Sequence, residues 1–217
     1  MMIRRLLLSF AFILALGSAV ASPAAAATDP EKARALIDGM AQEAISTLSA
    51  PNRTDAQIAD KFHAILKQNF DLPAVGRFVL GRYWRVATPE QQAEYIQLFE
   101  DYIVGIYANR FKAYSGETVS VTGTRADAPD VVVNSKINLT GGQPPVAVDW
   151  KVSAVDDKTY RVTDVIIEQV SMSITQRSEF ASIIQNNGGK VDALIALLRS
   201  KTGASANVAQ AASPQKQ

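Results

Sequence analysis

The sequence contains no cysteine and a single histidine, His63, in 217 residues. Without thiols there is no disulfide framework, thiolate zinc site, iron–sulfur cluster or cysteine nucleophile. One imidazole supports neither a histidine metal site nor a proton relay between histidines. An excess of basic charge is also missing, with 22 Lys+Arg against 21 Asp+Glu, so the electrostatic footprint of a nucleic-acid binder is absent. No G-x-S-x-G occurs. Gly188-Gly189-Lys190-Val191 fails as a phosphate loop because Ile184 and Val191 stand where the motif needs Gly and Ser/Thr. Carboxylates such as Glu100 and Asp101 read as ordinary helix-face charges. No catalytic residue, metal ligand or cofactor site is assigned, and the chain does not read as an enzyme. What is present in quantity is apolar: 47% hydrophobic residues with 20% charged, the composition of a folded globular chain.

The N-terminus is arranged for export. Arg4 and Arg5 precede an apolar run, and small residues follow to Ala27. A positive start, a short apolar middle and an A-x-A end describe a cleaved secretory signal peptide over residues 1–27. From Leu6 to Val20 there are 15 residues, short of the ~20 that a spanning helix needs. Cleavage after Ala21 or Ala27 satisfies the small-residue rule, the second more naturally.

Residues 30–115 read as helical. Asp29-Pro30 opens the first helix, and Ala33, Leu36, Ile37, Met40, Ala44, Ile45 and Leu48 follow at helical spacing. Thr54 with Gln57 and Thr88 with Gln91 have capping-box spacing. A short helix carries Leu72, Val75, Phe78 and Val79, and a long one runs from Pro89 to about Tyr114. The texture then changes to β-branched runs at 118–122, 131–139, 146–155 and 159–168, joined by short turns, which implies an antiparallel meander. Helices return over 173–187 and 191–201. Residues 203–217, rich in Ala, Ser, Gln and Asn, read as a disordered tail. The expectation is an α+β domain over 28–202: a twisted four-stranded antiparallel sheet with helices packed on its concave face, an arrangement that can leave a cavity between the layers.

Several ordered motifs carry a resemblance. Phe70-Asp71-Leu72, Val79-Leu80-Gly81-Arg82-Tyr83-Trp84-Arg85 and Thr88-Pro89-Glu90-Gln91 are followed by Tyr107 to Tyr114 and by Pro145 to Trp150. Tyr160-Arg161-Val162-Thr163-Asp164-Val165, Val170-Ser171, Gln176 to Phe180, Gly189 and Leu194-Ile195 complete the series. Together they resemble the MlaC family of periplasmic phospholipid-binding proteins, also called toluene-tolerance auxiliary components, over roughly residues 30–202. Tyr160 stands where the family usually has Trp, and Gln169 where Gly or Asp is common. Tyr114-Ser115-Gly116 also resembles the hopanoid-associated HpnM branch, which leaves the lipid open between phospholipid and hopanoid.

The resemblance implies a periplasmic carrier that holds acyl chains in its apolar pocket. Such a carrier shuttles lipid between an outer-membrane lipoprotein–porin complex and an inner-membrane ABC transporter with an MCE-type substrate-binding subunit, maintaining outer-membrane lipid asymmetry. Helix and strand faces nominate Phe78, Tyr83, Trp84, Phe99, Ile103, Tyr107, Val133, Ile137, Trp150, Val152, Val165, Ile167 and Met172 for the pocket. Arg82, Arg85 and Arg177 are candidates for headgroup contacts, where guanidinium meets phosphate. Two other readings stay open: a solid-cored envelope adaptor that binds no lipid, and an enzyme of the cone-shaped α+β class.

Overall fold

The computed structural model describes residues 28–52, 54–111 and 114–211. The expected signal peptide, residues 1–27, and positions 212–217 of the expected tail lie outside the described residues.

Helix starts follow the local chemistry of the chain. In α1 (Pro30–Ser49) the Asp29 carboxylate accepts from the amides of Glu31 and Lys32. A full capping box opens α2 (Asp55–Asn69): Thr54 Oγ1 accepts from Gln57 N at 3.2 Å, and Gln57 Oε1 accepts from Thr54 N at 2.9 Å. Asp71 caps α3 (Leu72–Leu80), which passes into a 3-10 turn, η1 (Gly81–Arg85). Thr88 and Gln91 close the same reciprocal box on α4 (Pro89–Phe111). After the sheet come α5 (Met172–Asn186) and α6 (Val191–Ala211). Between them Gly188 and Gly189 take φ of +71° and +76°, left-handed values that favour glycine at a helix end. Helix α6 continues into the segment that composition reads as a tail. Ala204, Ala206, Ala209 and Ala211 are strong helix formers and offset Gly203, Ser205 and Asn207 along this stretch.

The strands β1 (Thr118–Asp127), β2 (Asp130–Asn138), β3 (Val146–Ala154) and β4 (Tyr160–Ile167) form the expected antiparallel meander. A two-residue β5 (Val170–Ser171) adds a fifth strand beside β4. Strand β1 runs five residues past the expected Thr122, because pairing with β2 resumes after a bulge between Val121 and Gly123. At the β1–β2 turn, Lys151 bridges Asp127 at 3.0 Å and Asp130 at 3.1 Å. Partial burial works against the Lys151 ammonium, but the two carboxylates raise its pKa on balance, and Lys151 in turn lowers that of Asp127.

Two hydrophobic cores result. One is helical: Val79, Leu80, Tyr83, Tyr95, Phe99, Phe180, Ile184 and Leu194 are buried where α3, η1, α4, α5 and α6 meet. Its centre is a ring cluster, with Phe180 set edge-on to Tyr95 at 6.3 Å and to Phe99 at 6.4 Å. Gly76 lets α3 approach α4, since a Cβ there would stand 2.9 Å from Ile96 Cδ1. The Tyr95 hydroxyl donates to Gly76 O at 3.0 Å, and burial pushes its pKa far up. The second core lies between α1 and the sheet, with Ala33, Ile37 and Met40 against Val131, Val133, Val152, Tyr160 and Val162.

One polar knot ties the two halves together. Asp164, on β4, accepts from Ser171 Oγ at 2.5 Å and from the amide of Ser173 at 3.0 Å, in the first turn of α5. Ser171 Oγ accepts in turn from Ile174 N at 3.1 Å. The knot satisfies free amides at the start of α5 and fixes that helix to the sheet. Asp164→Ala is expected to cost about 2 kcal/mol, lowering Tm by about 4–8 °C for a chain of this size. Thermal unfolding followed by circular dichroism checks this, and an unchanged Tm would show that the knot contributes nothing.

Candidate functional site

Directly opposed residues of antiparallel strands share a face, so the register defines the inner surface of the sheet in rows. Ala126, Val131, Val152 and Val162 form one row, and Thr124, Val133, Trp150 and Val165 the next. Val121, Ser135, Val148 and Ile167 follow, then Val119, Ile137 and Val146 at the far end. Beneath α1 the valines of the first two rows on β2 and β3, Val131, Val133 and Val152, are fully buried. Toward the far end Val119, Ile137, Val146 and Ile167 are only half-buried. Helix α4 packs chiefly on α6, α2 and α3 rather than on a strand. In its second half Ile103, Ile106 and Tyr107 are half-buried. The inner face is therefore mainly apolar, interrupted at Thr124 and Ser135, and its far row is only half-buried.

Next to it a shallow apolar crevice opens between α1 and α2, lined by Ala44, Thr47, Leu48, Ile58, Phe62 and Ile65. Ile65 belongs to the core between α1 and the sheet, and Phe62 meets Tyr107 of α4 with ring centroids 6.5 Å apart. The crevice thus joins the surface, the second core and α4. These lining residues are the part of the site that the sequence did not nominate. Their helical spacing was visible, but it does not tell a filled seam from an open one.

One polar relay interrupts the inner face. Trp150 Nε1 donates to Ser135 Oγ at 2.9 Å, and the same hydroxyl donates to Val148 O at 2.7 Å. It lets an indole lie in an apolar surface with its N–H paired.

The nominated residues fall into four places. Tyr83 and Phe99 are buried inside the helical core, with Trp84 and Ile103 packed against it. Val133 and Val152 are buried in the second core, with Trp150 and Val165 at its border. Ile137, Ile167, Tyr107 and Met172 are half-buried and belong to neither. Phe78 is 44% exposed on the outer side of α3, because that helix is apolar on more than one face and buries Leu72, Gly76, Val79 and Leu80 instead. The structure therefore does not gather the thirteen into one lining. Arg82, Arg85 and Arg177 are exposed; Arg82 and Arg85 stand on η1, and Arg177 on the α5 face that packs against α3. Among the described residues no group of three or more His, Cys, Asp or Glu side chains converges.

The comparisons with known proteins agree with this geometry. A family model described as MlaC protein matches residues 38–200. The toluene tolerance protein Ttg2D of Pseudomonas putida is 26% identical over 139 residues, which span 63% of this chain and 63% of that protein, a little under two thirds of its length. Among solved structures, a phospholipid-binding protein from Ralstonia solanacearum, in complex with a phospholipid, superposes with a TM-score of 0.70 at 27% identity. That match covers 80% of this chain and 98% of the other.

Replacing Ser135 with Ala strands the Trp150 N–H and is expected to cost about 1–2 kcal/mol in urea unfolding. Trp150→Phe should then cost about 1 kcal/mol less in the Ser135→Ala background than alone, the coupling of a shared hydrogen bond. Strict additivity would contradict the relay.

Proposed function

The chain belongs to the MlaC family, and from that premise we propose that it is a lipid carrier that holds acyl chains between its two hydrophobic cores. The observation that carries the reading is the sheet's inner face, mainly apolar, whose far row of Val119, Ile137 and Val146 is only half-buried. Support also comes from the similar fold of a protein crystallised with a phospholipid. In this reading Ile137, Ile167 and Val146 contact the tails from below, Tyr107 and Met172 from the helical side, and Phe62 and Ile58 line the way in from the crevice.

The physics of a carrier requires no chemistry. Each buried methylene is worth about 0.8 kcal/mol, so a sixteen-carbon tail resists transfer into water by on the order of 12 kcal/mol. A protein that replaces the bilayer around the tail removes this barrier. It must match the bilayer's affinity rather than exceed it, since every 1.4 kcal/mol of excess slows release about tenfold. Apolar walls with few directional contacts meet that requirement and accept varied tails. The crevice encloses only about 10 Å3, far below the ~300–1,000 Å3 of ordinary ligand pockets. Loading therefore moves α1 and α2 apart, or lifts the α4 end from the sheet.

The finer reading follows the family resemblance. Residues 1–27 are a leader removed on export, and residues 28–202 form the lipid-binding domain of a periplasmic protein. The carrier passes lipid between an outer-membrane lipoprotein–porin complex and an inner-membrane ABC transporter with an MCE-type subunit, and so maintains the lipid asymmetry of the outer membrane. Any energy input belongs to the transporter, because this chain has no nucleotide-binding motif.

Native mass spectrometry of the secreted protein, with organic extraction of what accompanies it, tests the reading. The expected result is stoichiometric lipid, and its mass distinguishes phospholipid from hopanoid. Ile137→Asp places a charge in the apolar face and is expected to lower lipid occupancy by about tenfold or more. A bare protein mass, unchanged after incubation with vesicles, would sink the carrier and leave a solid-cored adaptor.

A further inference from the structure

The face formed by α3, η1 and the start of α5 carries a cluster of four arginines outside any ion pair among the described residues. From Leu72 to Thr88 the chain has three arginines, Arg77, Arg82 and Arg85, and no carboxylate. Helix α5 packs against α3 and adds Arg177. None of the four is in an ion pair among the described residues. Three are held by aromatic rings instead: Arg77 lies 5.5 Å from the Trp84 ring, Arg82 4.9 Å from Tyr83 and Arg177 5.0 Å from Phe78. Arg82 Nη2 also donates to the Tyr83 hydroxyl at 2.9 Å. Arg177 is seated on backbone, since a Cβ on Gly81 would stand 2.9 Å from its Nε.

The neighbouring carboxylates are otherwise engaged. Asp71 caps α3 by accepting from Ala74 N, and Glu179 accepts from the Gln176 amide. Glu90 lies in the first turn of α4, where Thr88 lowers its pKa. Large apolar side chains stand exposed among the arginines: Phe78 at 44%, Ile174, three residues before Arg177, at 57%, and Val86, beside Arg85, at 71%.

Ring contacts hold the Arg77, Arg82 and Arg177 guanidinium groups and leave further N–H groups for a second partner such as phosphate oxygens. Arginines interspersed with single protruding apolar side chains are the make-up of an interfacial membrane surface: cations meet anionic headgroups while apolar groups enter the headgroup layer. We propose that this face docks the protein on the surface of an anionic phospholipid bilayer, with Arg77, Arg82, Arg85 and Arg177 on lipid phosphates and Phe78 and Ile174 dipping between headgroups. The arginines nominated for the cargo's headgroup thus meet the membrane instead. The inference rests on the carrier reading for its purpose, lipid exchange at a bilayer, but docking is measurable without cargo.

Co-sedimentation with vesicles of phosphatidylcholine containing about a third phosphatidylglycerol tests it, against pure phosphatidylcholine and at low and high salt. The protein should bind the anionic vesicles, bind the neutral ones far less, and release as salt rises. Near an anionic membrane each arginine contributes about fivefold to binding. The triple variant Arg82→Gln, Arg85→Gln, Arg177→Gln should therefore lose about 100-fold. Arg85→Gln alone, whose side chain makes none of the ring or hydrogen-bond contacts above, should lose about fivefold without disturbing the fold. Failure to bind anionic vesicles, equal binding to neutral ones, or an Arg85→Gln variant that binds like the parent would overturn the proposal. Native mass spectrometry on the same samples keeps the two readings apart: a bare protein that still docks refutes the carrier alone, and a lipid-loaded protein that does not dock refutes the docking face alone.

Discussion

The organising constraint of this fold is the mismatch between a sheet whose inner face is mainly apolar along its length and a first helix that covers one end of it closely. Val131, Val133 and Val152 disappear beneath Ala33, Ile37 and Met40, while Val119, Ile137, Val146 and Ile167 stay half-buried. Sheets bury one face because the exposure of a row of branched side chains costs about 25 cal/mol per Å2. A face only partly covered by the chain itself is a standing demand for more apolar surface. A lipid tail supplies that surface without asking for hydrogen bonds in return.

The helical core answers a different need. Its ring cluster of Tyr95, Phe99 and Phe180, with α3 drawn onto α4 at Gly76, packs α3 to α6 around a core of their own. The Asp164 knot and the bridge from Phe70 to Val162 then attach this unit to β4 at one side. A body joined firmly along one side and loosely at the other can admit a guest between its layers while both cores stay packed. The exposed arginines belong to the helical side of the fold, on α3, η1 and α5.

Much of this was legible in the sequence where local chemistry decides. Thr54 with Gln57 and Thr88 with Gln91 announce helix starts, and β-branched runs announce β2, β3 and β4. The second half of β1 was hidden, since Gly123, Thr124, Arg125 and Ala126 carry no apolar alternation and are held in the sheet by pairing with β2. The site was less legible for a related reason. Periodicity says that Tyr83, Phe99, Val133 and Ile137 face inward, but not toward which core. Phe78 shows the limit most clearly: α3 is apolar on several faces, and close packing at Gly76, rather than hydrophobicity, decides that Phe78 points out to carry Arg177.

The account's central claim is that cargo lies between the two cores and not within either. A phospholipid with a photoactivatable diazirine in its tail, loaded into the protein and mapped by peptide mass spectrometry after illumination, tests this most directly. The account predicts adducts on Phe62, Tyr107, Ile137 and Ile167 and none on the buried rings Tyr95, Phe99 and Phe180. Adducts concentrated on those rings, or on Val79, Leu194 and Leu198 of the helical core, would contradict it.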